Sequence, residues 1–207
     1  RGYFGESGAW KRLRDKEFEG MQGLRVLITG GEPLLHSRFP EINDLLQDVF
    51  VRRVLFTNGS LLKKDVLRTL KVHEIQVSID GMQEAHDQIR GTGTWALSVS
   101  AIRNAIDAGF DVSVSTMVHR GNLADFESMD EFFHALGVKE WTVDVPCIAG
   151  RMKEHEALSV PPDVGGRFLG YGYGSGLHAS APGFACGLHL MAVLAAHSAV
   201  SLVLPNF

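Results

Sequence analysis

At 207 residues, with 45% apolar and 21% charged side chains, the chain is one large domain or most of one, long enough to bury a sizeable core. A formal charge of -4 gives no ground for a nucleic-acid or anionic-membrane partner, and no apolar run approaches the roughly 18 residues of a membrane span. Two cysteines, Cys147 and Cys186, are too few for a disulfide scaffold and fit a reducing, cytoplasmic setting. The opening segment is charged and glycine-rich, unlike a secretory leader.

Taken in order, the chain reads as strands alternating with helices. Trp10 to Met21 is charged and amphipathic, a helix closed off by Gly20 and Gly23. Leu24–Thr29 is a strand that ends in Gly30-Gly31-Glu32-Pro33. Phe39 to Phe50 carries Phe39, Ile42, Leu45, Leu46 and Val49 at helical spacing. Val54–Thr57 is a strand closed by Asn58-Gly59, Leu61 to Leu70 a short helix, and Glu74–Asp80 a strand before Gly81. After a polar turn, Trp95 to Ala108 is a helix ending at Gly109. Phe110–Val118 is a strand, Leu123 to Leu136 a helix stopped by Gly137, and Glu140–Val145 a strand halted by Pro146. Such alternation with short links implies parallel pairing and right-handed crossovers. The sheet is then either doubly wound or barrel-like.

In both architectures ligands gather at the carboxyl ends of the strands. Those ends here are Thr29 to Glu32, Thr57 to Gly59, Ser78, Asp80-Gly81, Thr116 and Asp144, all small, polar or acidic although the strands are apolar. Glu32 is the sharpest of them. Pro33 biases it towards an extended conformation, and the adjacent glycines leave bare backbone beside a carboxylate. That combination suits a ligand's ammonium group; the plain alternative is a strand-to-helix turn with a solvated acid. Asp80 is either a substrate-facing base or, ranked first, the turn acid that precedes Gly81.

The ordered set Thr29-Gly30-Gly31-Glu32-Pro33-Leu34, Phe56-Thr57-Asn58-Gly59, Val77-Ser78-Ile79-Asp80-Gly81, His86-Asp87 and Ile89-Arg90-Gly91 resembles the radical S-adenosylmethionine superfamily. More narrowly it resembles the branch with SPASM-type C-terminal extensions, which includes peptide maturases and cofactor-synthesis enzymes. The resemblance spans residues 24–151. It implies a partial (β/α)6 TIM-like barrel with parallel strands, lacking its first strand here. It also implies S-adenosylmethionine and a 4Fe–4S cluster as cofactors, and a 5′-deoxyadenosyl radical that takes hydrogen from a substrate. Carried over, Gly30, Gly31, Glu32 and Pro33 would hold the methionine amino group. Ser78 and Arg90 would bind its carboxylate, Thr57 and Asn58 would line the ribose, and Thr116 to Val118 the adenine. The implied substrate is a peptide or a cofactor precursor, and the implied reductant a ferredoxin or flavodoxin.

The departure from the pattern is the cluster motif, Cys-x3-Cys-x2-Cys, which in the family precedes the Gly-Gly-Glu-Pro strand. Three thiolates hold three irons and leave the fourth open; no such set occurs in this sequence. A start at Arg1 favours truncation as the explanation over degeneration, and the chain alone is expected to be inactive in radical chemistry. The expected domains are 1–155, a partial barrel, and 156–207, a linker and the start of a truncated extension. Gly165 to Gly187, with Phe168, Tyr171, Tyr173 and Phe184, resembles the entrance to that extension, and Cys186 would be its first auxiliary-cluster ligand. A second cysteine position holds Leu202 or Leu204. The apolar Val200–Leu204 run would lie exposed or pair with another chain. Cys147 reads as a buried or cleft thiol, and His178, His189 and His197 show no ligand spacing.

Two other classes stay open. One is a barrel lyase using Glu32, Asp80, Asp144 and histidines, for which no converging metal set is visible in the spacing. The other is a catalytically dead radical-type barrel that binds a peptide or partner without a cluster.

Overall fold

The computed structural model describes residues 25–45, 47, 52–145 and 158–172, together with the backbone of 199–204. Five parallel strands follow the predicted positions: β1 (Arg25–Gly30), β2 (Arg52–Thr57), β3 (Glu74–Ser78), β4 (Asp111–Met117) and β5 (Glu140–Asp144). They lie side by side in chain order. A doubly wound sheet reverses its strand order at a switch point. This one does not, so the crossovers run in a single direction and right-handedness places their helices on one face. The architecture is a partial α/β barrel.

The register explains why the strands read as strands. Val26, Ile28, Leu55, Ile75, Val77, Val112, Val114 and Trp141 share one face and are almost fully buried. A fully buried side chain of this size contributes about 1.5–3 kcal/mol. The opposite, inner face is apolar at Leu27, Val54 and Phe56 of β1 and β2 and polar over β3 to β5. It carries Glu74, Gln76 and Ser78 from β3, Ser113 and Ser115 from β4, and Thr142 and Asp144 from β5.

The helices are α1 (Phe39–Leu45), α2 (Lys64–Leu67), α3 (Gln83–Arg90), α4 (Thr94–Asp107), α5 (Phe126–Leu136) and α6 (Pro162–Gly165). The stretch read as a polar turn after Gly81 is helix α3. It buries only Ala85 and His86 in eight residues, so it presents no apolar stripe to read. The helix expected over Leu61 to Leu70 closes as one turn, and the segment Trp10 to Met21 lies outside the described residues. Gly166–Tyr171 forms a short 3-10 helix whose Phe168 and Tyr171 rings pack on Phe126, with centroids 4.6 and 5.4 Å away.

A sixth strand, β6 (Ala199–Leu204), pairs in parallel with β1, Arg25 opposite Ala199 and Gly30 opposite Leu204. This corrects the expectation for the Val200–Leu204 run, which was to lie exposed or pair with another chain. The reason is the free edge of β1, whose unpaired backbone groups accept any β-prone segment of the same chain. Among the described residues no helix is long and apolar enough to cross a membrane.

Candidate cofactor-binding site

Glu32 sits just beyond β1, extended at φ -121° and ψ 107°, as Pro33 dictates. It caps a 3-10 turn, Pro33–Leu35, in which buried Pro33 takes the first position and needs no donor. Its carboxylate is fixed from three directions. The Thr57 hydroxyl lies 2.8 and 3.0 Å from the two oxygens, the Asn58 N–H donates at 2.8 Å and the Leu34 N–H at 3.3 Å. A carboxylate offers about four lone-pair sites. Three donors therefore leave room for one more, which a ligand ammonium can fill. Gly30, at φ +148°, turns the backbone out of the strand, and both Gly30 and Gly31 are exposed. A Cβ at Gly30 would strain that conformation.

The second strand end locks the first. Thr57, 3% exposed, accepts the Gly59 N–H at 3.1 Å while donating to Glu32. The Asn58 side chain accepts the Ser60 N–H, and its carbonyl accepts the Ser98 hydroxyl of α4. Asn58 itself is exposed, with its backbone N–H spent on Glu32.

The third strand end is a buried polar hub around Asp80, 1% exposed. Arg90 Nε donates to Asp80 Oδ2 at 2.6 Å and the Met117 N–H to Oδ1 at 2.9 Å. The Asp80 N–H donates to His86 Nδ1 at 3.0 Å, while its carbonyl accepts from His119 Nε2 and the Asn122 amide. These bonds set the tautomers: His119 carries its proton on Nε2, and His86 also does, since its Nδ1 accepts. His86 Nε2 is buried with no partner among the described residues. Burial, opposed by the Asp80 charge, pushes the His86 pKa down to about 4, and burial lowers that of His119 as well. Ser78 is half-buried two residues before Asp80. Arg90 keeps 31% of its side chain exposed.

The remaining predicted residues fall elsewhere. Thr116 is buried, its hydroxyl donating to the Ile79 carbonyl at 2.6 Å and accepting from Trp141 Nε1 at 2.9 Å. Val118 is wholly buried. Cys147 and Cys186, with His178, His189 and His197, lie outside the described residues. Sequence reasoning missed His119, Asn122 and Asp125, which follow β4. Asp125 accepts the Met82 N–H at 2.7 Å and, with Asn122, clamps the loop after β3. The signal was available: four polar residues within seven positions directly after a buried strand. Asp87 was also under-read. It caps α4 through the Gly93 and Trp95 N–H groups, both at 2.8 Å, which hold its carboxyl below the usual range.

Among the described residues no three His, Cys, Asp or Glu side chains converge as a metal site. At the opposite, amino-terminal rim, Glu74 accepts from Arg52, Arg25 and Ser113, and Asp111 pairs with Arg52 and Lys139 around a cavity of about 560 Å³. That rim is a balanced ion-pair floor, remote from the strand ends that hold Glu32 and Asp80.

Comparison with known proteins bears on this arrangement. The chain is 36% identical over 121 residues to the mycofactocin maturase MftC of Mycolicibacterium smegmatis, covering 56% of this chain and 30% of that protein. It is 32% identical over 139 residues to an AdoMet-dependent heme synthase of Methanosarcina barkeri, covering 65% and 40%. The structure of native anSMEcpe with bound AdoMet and the Kp18Cys peptide superposes with a TM-score of 0.60 at 18% identity, over 77% of this chain and 48% of that one. The chain thus spans about a third of the length of the curated relatives it matches. The family described as the radical SAM superfamily matches residues 14–133, more than half of the sequence. With that match laid over a parallel partial barrel whose strand ends carry Glu32, Thr57 and Ser78, with Arg90 at the end of α3, the chain belongs to the radical S-adenosylmethionine superfamily.

Proposed function

We propose that the chain is the cofactor-binding part of a radical S-adenosylmethionine enzyme that modifies a peptide, with a small cofactor precursor as the alternative substrate. The observation that carries this reading is Glu32, a carboxylate immobilised by three donors beside exposed glycine backbone and left with one vacant acceptor site. It takes the ammonium of the methionine moiety, Gly30 and Gly31 supply further carbonyl contacts, and Ser78 with Arg90 receives the carboxylate. Thr57 and Asn58 stand on the ribose side. The residues present therefore fit S-adenosylmethionine.

They do not fit the 4Fe–4S cluster, because a chain with two cysteines cannot offer three thiolates. The chemistry a 4Fe–4S cluster would supply is one electron, from a reductant such as ferredoxin or flavodoxin, for cleaving S-adenosylmethionine to methionine and a 5′-deoxyadenosyl radical. The shortage of thiolates also supports a second reading, a cluster-free barrel that holds a ligand or peptide. The peptide preference draws support from relatives named for maturation and from a neighbour solved with a peptide.

Two measurements test this. Calorimetry on the chain should show S-adenosylmethionine binding that weakens about tenfold in Glu32→Gln, the loss of one charge-assisted bond. Anaerobic reconstitution of the polypeptide extended upstream of Arg1 should load a cluster and cleave S-adenosylmethionine with dithionite. Binding by the chain without cluster uptake by the extended protein would move the binding-module reading to the front.

A further inference from the structure

We propose that Asp80 is a positioning residue for Arg90: it grips the guanidinium by Nε and so aims the two terminal nitrogens at the carboxylate of the bound amino-acid ligand. The inference rests on the reading of Arg90 as the carboxylate anchor and deepens it. Asp80 lies in the loop after β3, two residues beyond Ser78, with every polar group engaged. Its N–H, its carbonyl and both carboxylate oxygens are each engaged, by His86, by His119 and Asn122, by Met117, and by Arg90. A residue 1% exposed and held at five points, two of them on its carboxylate, is a fixed reference in the barrel.

The contact it makes to Arg90 is the informative one. A guanidinium facing a carboxylate with nothing else to do pairs two-pronged, through both terminal nitrogens or through Nε and one of them. Here the one recorded bond is Nε to Oδ2 at 2.6 Å, and Oδ1 is turned away to the Met117 N–H. Nη1 and Nη2 have no recorded partner among the described residues, and 31% of the side chain is open to solvent. The far edge of the fork is thus presented free and pre-oriented, as bidentate recognition of a second carboxylate requires. Asp80 also offsets the arginine's positive charge, so that an empty site does not hold an uncompensated cation at the rim. Buried at 1% exposure, with each oxygen engaged within the chain, Asp80 is a scaffold for this anchor rather than a base facing substrate.

The test compares S-adenosylmethionine with its decarboxylated analogue, which keeps the ammonium, sulfonium and nucleoside but lacks the carboxylate. The native chain should prefer the carboxylate-bearing ligand by about 10–100-fold. Asp80→Asn keeps an oxygen for the Met117 N–H but turns a donor towards Arg90, and should shrink that preference to within about threefold while the analogue binds as before. Arg90→Lys should shrink it equally, and the double variant no further, because the two residues act on one contact. A proportional loss for both ligands, or an unchanged preference in Asp80→Asn, overturns the inference and leaves the cofactor reading standing. No binding of either ligand by the native chain overturns both. A readout on the native chain covers the case in which Asp80→Asn does not fold. In protein labelled with nitrogen-15 arginine, the Arg90 Nε–H signal should be protected from exchange before and after S-adenosylmethionine is added, with only the Nη signals shifting. Loss of that protection on ligand addition would mean that Arg90 leaves Asp80 to bind, and would overturn the inference.

Discussion

Glu32 and Thr57 meet across a strand gap because β1 and β2 are paired in register, so that a hydroxyl at the end of one strand lies beneath the acid that leaves the other. Removing that hydroxyl leaves the carboxylate with two backbone donors and a looser orientation. Thr57→Val should lower S-adenosylmethionine affinity about fivefold to tenfold and stability by about 1 kcal/mol, measured by calorimetry and urea unfolding. Gly81 is the other position with a sharp requirement. Its φ is +144°, and a Cβ there would stand 2.7 Å from the Ala85 Cβ and 3.0 Å from an Asp125 carboxylate oxygen. Gly81→Ala should destabilise the chain by about 2–4 kcal/mol in urea unfolding, through strain and overpacking together. It should also loosen Asp80 and hence the arginine it holds. Of these features, Glu32 was legible in the sequence because Pro33 fixes its backbone locally. The setting of Asp80 was not, because its partners come from α3, from Met117 and from the loop after β4, and no spacing rule joins them.

At the level of elements, alternating β-branched runs gave away all five central strands, since each buries one apolar face under helices. Helix α3 escaped detection because it uses helical geometry to deliver His86 and Arg90 to Asp80 and Asp87 to the start of α4, with little apolar surface to bury. That design has a titration consequence. His86 is neutral when folded, its pKa held near 4, whereas in the unfolded chain it charges near its ordinary value of 6.5. The unfolded state therefore takes up the proton first, and stability is full above about pH 6.5 and falls as pH drops towards 4. His119 acts in the same direction. Each such proton costs the fold at most about 1.4 kcal/mol per pH unit. Urea midpoints recorded between pH 7 and pH 4.5 should fall, and His86→Asn should flatten part of that slope.

Across the whole molecule the two rims divide the work. The carboxyl rim collects polar groups held by backbone donors and left partly vacant, whereas the amino rim neutralises its charges internally, Arg25, Arg52 and Lys139 against Glu74, Asp111 and Glu140. Trp141 ties the barrel to residues 158–172, stacking with Phe126 at 5.6 Å, meeting Phe133 edge-on at 5.1 Å and lying 6.1 Å from Tyr171. Its indole N–H also satisfies Thr116. Trp141→Ala should cost about 3–5 kcal/mol in urea unfolding and release the 3-10 segment to proteolysis. The aromatic spacing of Phe168 and Tyr171 was visible in the sequence, but its target was not, since Phe126 lies on a helix more than forty positions earlier.

The position of β6 carries a consequence for how the chain reaches this state. Each of β2 to β5 pairs with the strand before it across a single crossover, a smaller closure cost than pairing between strands far apart in the sequence. The partner of β1 on its other side comes from nearly the opposite end of the sequence. Pairing of β1 with β6 therefore closes the longest loop among the described strands, and until it forms that edge of β1 is open to other chains. Refolding should show β3 and β4 amides protected early and the outer edge of β1 protected last, in step with β6.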